Sequence, residues 1–260
     1  MNYMNLSLAW MGALNMALAL YGCTNGIETG LSAPEGIPVT VLAEISPVTK
    51  SGEAVSSDNG FDRTSFLSGD QIKVTRTKKA SGTAASQSAS YRYDGTSAWT
   101  VVGTSPVTLE PAVTYSAQFP ADYSAINQFQ TTSAAYLASN LLKTGDATSS
   151  DGTLDFTSSG KPFTHVNSKL TLKFTVNRET TIANDAVLVA AAGIRTAVST
   201  NQTITLYRPY PVDASRKYEW CGILRAVGGS AGTPATDLTV SLTCDGVTYK
   251  ATLTGCALRT

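Results

Sequence analysis

Histidine is almost missing from this chain: His165 stands alone among 260 residues. A Ser-His-Asp triad would have to use it, yet no G-x-S-x-G elbow is present. The stretch "FTHVNSKL" instead places it just ahead of a sheet-forming run, as a structural histidine. Charge is scarce as well. Asp, Glu, Lys and Arg make up 15% of the chain, and 19 basic residues balance 19 acidic ones. Nucleic-acid binding needs clustered Lys and Arg to meet phosphates, so the neutral balance excludes nucleic acid as a partner. The nearest basic cluster, "KVTRTKK" (73–79), reads as alternating charge on an exposed strand. There is no G-x-G-x-x-G, no P-loop and no H-E-x-x-H, so no cofactor, no metal and no enzymatic activity is expected. Glu110, Asp122 and Glu219 could serve as paired carboxylates for glycoside hydrolysis, but nothing in the sequence picks them out.

Basic residues are absent before Lys50, and no apolar run reaches the roughly 20 residues of a bilayer span. Residues 6–20 are nearly all apolar, broken by Ser7, Gly12 and Asn15, which fits the apolar region of a secretory signal at 1–22. Leu20-Tyr21-Gly22-Cys23 resembles a bacterial lipobox, in which cleavage before the cysteine exposes a thiol that carries diacylglycerol. Tyr21 is bulkier than usual there, and the leading residues lack the customary charge. The competing reading is a buried apolar helix with an incidental cysteine. Cysteines are few: Cys221, Cys244 and Cys256 follow Cys23, and their spacing matches no zinc site. An exported protein with these three could close one disulfide and keep one thiol.

What the chain does have is Thr, Ser and Gly at close intervals, the composition of short strands joined by tight turns. Residues 23–37 read as a tether. In "PVTVLAEI", Val39, Val41, Ala43 and Ile45 alternate with more polar positions, as in a half-buried strand. Ile72 and Val74 share a face in "DQIKVTRT". "SYRYDGTSAWTVV" reads as a hairpin with Tyr91 and Tyr93 before the Asp94-Gly95 turn and Trp99 after it. Val113, Tyr115, Ala117 and Phe119 form another alternating set. A helix is expected over 132–143, stopped by Gly145. "KLTLKFTVN" alternates strictly through Leu170, Leu172, Phe174 and Val176.

Near the carboxyl end, Asp245-Gly246 marks a two-residue turn. Folding about it pairs Cys244 with Val247, Leu242 with Tyr249, Val240 with Ala251 and Leu238 with Leu253, all on one face. A slip of one residue would put them out of phase. A straight hairpin holds Cys256 far from Cys244, so any bridge should use Cys221. The architecture expected is all-β, two sandwich domains over 38–177 and 178–260 with one short helix in the first.

Several phrases fall in an order that resembles the fimbrillin family of Bacteroides-type bacteria, pilus subunits derived from lipoproteins. They are the lipobox at Cys23, the first strand ending in "PVTKS", and "SFLSGDQIKV" (65–74) with Phe66, Gly69, Asp70 and Ile72. "YRYDGTSAW" (91–99), "YSAQFPAD" (115–122) and "FTHVNSKLTLKF" (163–174) follow. The match runs over roughly residues 38–176; the second half is similar only in general character.

The resemblance implies two tandem transthyretin-like sandwiches and an outer-membrane lipoprotein precursor, lipidated at Cys23. A maturation protease would then trim it on the cell surface after a basic residue. Lys50 is the first candidate for that residue and Arg63 the second. On this view Val39, Val41 and Ile45 plug a groove that a neighbouring subunit's strand fills after cleavage, building a fimbria that supports adhesion or biofilm formation. Partners would be other pilin subunits, outer-membrane lipid, the protease, and a ligand on a host or bacterial surface. Family members usually have a longer tail that donates the strand. Here seven residues follow Leu253, so either an earlier strand donates, or the chain is truncated, or the subunit ends a pilus. The rival reading is a surface lipoprotein that binds glycans without polymerising, marked by an exposed row of Trp and Tyr.

Overall fold

The computed structural model describes residues 36–46, 64–77, 86–177, 179–211, 214–226, 236–256 and 258. Cys23, Lys50, Arg63 and the expected signal segment lie outside them. In chain order the strands are β1 (Thr40–Ala43), β2 (Gln71–Arg76), β3 (Gln87–Tyr93), β4 (Trp99–Val101), β5 (Tyr115–Phe119), β6 (Leu142–Lys143) and β7 (Thr153–Phe156). Then come β8 (Thr164–His165), β9 (Asn167–Lys173), β10 (Val187–Ala192), β11 (Asn201–Thr205), β12 (Glu219–Arg225), β13 (Thr236–Cys244) and β14 (Val247–Cys256). One short helix, α1 (Ser133–Ala138), lies between β5 and β6. The chain is all-β, as its alternating patterns require.

Two apolar clusters organise the sheets. The first gathers Ile72, Val74, Tyr91 and Tyr115 from the six-stranded sheet β4-β3-β2-β5-β6-β8, with Val41 of β1 and Leu154 and Phe156 of β7 packed against them. The second joins Val187, Val189, Ile204, Leu238 and Val240 of the sheet β11-β10-β13-β14 to Trp220 and Leu224 of β12. Strand β9 pairs with β12, and Leu170, Leu172 and Phe174 pack against this second cluster. Ile126, from the segment after β5, joins it too. Both arrangements are sandwich-like: apolar faces of separate sheets meet, and polar alternates face outward.

β12 is buried on both faces. Trp220 and Leu224 enter the second cluster, while Cys221 and Ile223 pack with Tyr136 of α1 and with Tyr207. Gln130 secures this junction. Its amide nitrogen donates to the Ile223 carbonyl, and its amide oxygen accepts from the Ile223 N–H, both at 2.8 Å. One side chain thus supplies both hydrogen bonds that a neighbouring strand would have made.

The hairpin β3–β4 follows the expected course, with Tyr93 opposite Trp99 and Tyr91 opposite Val101. Its turn is built on Asp94. Oδ1 accepts from the N–H groups of Thr96, Ser97 and Ala98 at 2.7, 3.0 and 3.1 Å, and Oδ2 accepts from the Thr96 hydroxyl at 2.8 Å. Gly95 follows at φ +97°, where a side chain would be strained. These donors, the Thr96 N–H foremost, push the Asp94 carboxyl down to about 2 from 3.8. A depressed carboxyl contributes stability above its unfolded pKa and loses it as pH falls through the folded one. An Asp94→Asn chain should therefore be less stable than the parent at neutral pH, and the difference should close between 3.8 and about 2. Urea midpoints for both chains across that range check it; a difference independent of pH would refute the account.

The helix is shorter than the pattern over 132–143 predicts. Thr132 caps α1, its hydroxyl accepting the Ala135 N–H at 3.2 Å. After Ala138, the Ser139 hydroxyl donates back to the Ala135 carbonyl at 2.9 Å and accepts from the Asn127 N–H at 3.0 Å. Such side-chain bonds compete with continued helix. Leu142, assigned by spacing to the helix, lies in β6 opposite Phe119 and His165. Arg76 also departs from the exposed alternating charge read in "KVTRTKK", since it is buried.

Candidate functional site

Strand β1 is where the expected plug residues fall. It runs parallel to β7, with Thr40 beside Thr153, Val41 beside Leu154, Leu42 beside Asp155 and Ala43 beside Phe156. Parallel strands need a long connection rather than a turn, and here β2 to β6 intervene. Val39, Val41 and Ile45 are 5%, 2% and 4% exposed, whereas Leu42, on the alternate face, is 43% exposed. The period-2 reading of "PVTVLAEI" therefore holds in detail.

Two walls hold the strand. On one side Thr40 donates to the Gly152 carbonyl at 2.8 Å and Glu44 to the Phe156 carbonyl at 3.0 Å. Beyond them, Phe163 donates to the Glu44 carbonyl at 2.9 Å, and Ser46 to the Phe163 carbonyl at 2.8 Å. On the other side Val39 donates to the Val107 carbonyl at 3.0 Å, Leu109 to the Ile37 carbonyl at 2.7 Å, and Gly36 to the Leu109 carbonyl at 3.2 Å. Val107 and Leu109 are fully buried in the first cluster. Taking β1 away would leave an apolar trough between residues 106–110 and 152–163, rimmed by unpaired backbone donors and acceptors.

The far end of the chain offers a strand of the opposite character. The β13–β14 hairpin has the expected register: Cys244 faces Val247, Leu242 faces Tyr249, Val240 faces Ala251 and Leu238 faces Leu253. Asp245 and Gly246 both adopt positive φ, at 51° and 74°, as a two-residue turn of this hand requires. A bulge follows between Thr236 and Leu238, and Cys256 lies opposite Thr236. β14 is the edge of its sheet and is exposed along its length; Val247, Tyr249 and Leu253 are 51%, 60% and 36% accessible.

No disulfide joins the described cysteines. Cys221, Cys244 and Cys256 are free thiols, and burial pushes the Cys221 thiol up. His165 is buried on β8, with Nδ1 3.1 Å from Asn140 Oδ1. Of the three candidate carboxylates, Asp122 lines a cavity of about 560 Å3 shared with Asp70, Gln71, Lys73, Phe119 and Pro120. Glu219 instead accepts from Arg216 Nε at 2.6 Å. Trp99 and Trp220 are buried, as are Tyr91, Tyr115 and Tyr136. They do not form an exposed aromatic row. Among the described residues no cluster of three or more potential ligands could hold a metal ion. No described helix is long and apolar enough to cross a membrane.

No protein-family model matches the chain, and no curated protein matches it. Among solved structures it is similar to a fimbrial protein from Bacteroides ovatus, at 15% identity and a TM-score of 0.42, over 88% of this chain and 48% of that one. It therefore spans about half the length of that protein. It is also similar to a protein named for cell adhesion from Bacteroides fragilis, at 17% identity and a TM-score of 0.47, over 85% and 89% of the two chains. A third, also named for cell adhesion, comes from Parabacteroides distasonis, at 11% identity and a TM-score of 0.44, over 84% and 80%.

Proposed function

We propose that this chain is a structural subunit, stalk or accessory, of a surface filament, exported as a lipoprotein through Cys23 and assembled by strand exchange after β1 is cut away. The observation that carries this reading is β1 itself. It fills an apolar trough and completes two backbone walls, yet it lies at the start of the described chain. Its last apolar anchor is Ile45, and the next in the first cluster is Phe66. Lys50 and Arg63 both fall between these two points, so cleavage after either would release β1 and leave every other described strand covalently intact. A trough with unpaired edges is a template for an incoming strand.

β14 has the features of a donor. "VTVLAEI" (39–45) and "VTYKATL" (247–253) share Val, Thr and Ala at equivalent places and end on Ile and Leu. Val247, Tyr249, Ala251 and Leu253 would take the places of Val39, Val41, Ala43 and Ile45. Tyr249 is larger than Val41, so its pocket must widen, at a cost of about 1–3 kcal/mol. A contact between the groove of one copy and the last strand of another is head-to-tail, and its repetition gives an open filament.

The test is the amino terminus of the protein in sheared surface material from its native cells, read by mass spectrometry. A chain that starts at Ser51 or Thr64 is expected. A chain that still starts at acylated Cys23 would mean an anchored lipoprotein and would overturn the filament reading.

A further inference from the structure

The groove wall at 106–110 is held on its outer side by side chains where a neighbouring strand would usually stand. Gln87 reaches it twice: Nε2 donates to the Pro106 carbonyl at 2.7 Å, and Oε1 accepts from the Thr108 N–H at 3.0 Å. The same Oε1 also accepts from the Thr108 hydroxyl at 3.2 Å. Arg76 Nη1 donates to the Thr108 carbonyl at 3.1 Å and to its hydroxyl at 2.8 Å. The Tyr91 hydroxyl accepts from the Val107 N–H at 3.0 Å. The Tyr115 hydroxyl accepts from the Glu110 N–H at 2.8 Å and donates to the Thr108 carbonyl at 3.3 Å. These four residues come from β2, β3 and β5, the centre of the six-stranded sheet, and none belongs to β1.

We infer that Arg76, Gln87, Tyr91 and Tyr115 act together as a substitute strand that keeps residues 106–110 in place after β1 leaves, so that the groove stays formed for its next occupant. This rests on reading β1 as a removable strand. The physical need is plain. A loop that has lost its backbone partners would close over the exposed trough and bury Val107 and Leu109 in some other way. An incoming strand would then have to reopen it, and its apparent affinity would fall by the fraction of chains still open. Here the outward-facing groups of the wall keep their partners whether β1 is present or not. The inward-facing ones, the Val107 carbonyl and both backbone groups of Leu109, are the ones that a new strand would meet. Burial raises the Tyr91 and Tyr115 phenols above their usual pKa, so both hydroxyls stay neutral and keep these bonds at physiological pH. They are positioning residues, since the hydrogen bonds described here run from their side chains to the wall and not to the strand that occupies the groove.

Native-state amide exchange on the full chain, at low denaturant, separates the two sides of the wall. The amides of Thr40, Glu44 and Leu109, which bond across the β1 boundary, should exchange together through one low-cost opening. Those of Val107, Thr108 and Glu110 should exchange at least tenfold more slowly. A Gln87→Ala chain should move the Thr108 amide into the fast group, by at least tenfold, and leave Glu110, held by Tyr115, protected. Uniform exchange across 107–110, or a Thr108 amide unmoved by Gln87→Ala, would overturn the inference. Either outcome would leave the filament reading untouched, because that reading is decided by the mature amino terminus.

Discussion

A Val41→Asp chain should be less stable than the parent by about 3–5 kcal/mol, the range for a buried charge left without a partner. Val41 is 2% exposed and sits at the level of Leu154, surrounded by apolar side chains. A carboxylate cannot remain there, so the expected result is expulsion of the whole strand rather than local rearrangement. The neighbouring change Leu42→Lys places a charge on the open face, beside Asp155, and should cost under about 0.5 kcal/mol. Urea unfolding of the two variants checks the pair. A smaller m-value for Val41→Asp would show that β1 is already undocked before global unfolding. Equal costs for the two substitutions would mean that β1 does not fill the trough as described.

Gln130→Ala carries the second large effect. Gln130 is fully buried, and its amide meets both the N–H and the carbonyl of Ile223. Truncation would leave two buried backbone groups without partners, each worth about 1–3 kcal/mol, so a loss of about 2–6 kcal/mol is expected. Thermal or denaturant unfolding measures it. Gln130→Glu is the informative companion. Its oxygen can still accept from the Ile223 N–H, but it cannot donate to the carbonyl when ionised. That variant should recover toward the parent at low pH, where the carboxyl carries a proton to donate, while the alanine variant should not. If both variants cost under about 0.5 kcal/mol, the junction between the 126–130 segment and β12 does not hold β12 in place.

Much of the fold was legible because β structure writes itself in period two. The β13–β14 register followed from Asp245-Gly246 and the apolar alternates around it, and the structure matches it pair by pair. The burial of Val39, Val41 and Ile45 on one face was readable for the same reason. Alternation says that one face is apolar, but not what covers it. Val247, Tyr249 and Leu253 look in sequence like the inward face of a core strand, and yet they are exposed. The parallel partner of β1 was not legible either, because nothing local links Val41 to a leucine more than a hundred residues later. Helical spacing through Leu141 and Leu142 misled because Ser139 ends the helix by bonding its backbone. Gln87, Gln130 and Arg76 carried no signal at all. A glutamine in "QFQTT" or "SQSAS" surroundings reads as surface, and only the fold brings its amide to an orphaned backbone.

The distance along the chain between β1 and β7 has a kinetic side. Loop closure costs entropy that grows slowly with length, and pairing between distant segments slows folding. β1 takes its backbone partners from β7 and the 106–110 wall, so its docking is the step that closes the trough. On the reading proposed above its advantage is covalent, because an intramolecular strand meets the trough at a higher effective concentration than a separate one. One cut in the chain after β1 would abolish the advantage without altering a single contact in the trough. On that reading the same apolar surface would then change from a site that its own chain always wins into one open to strands from other molecules.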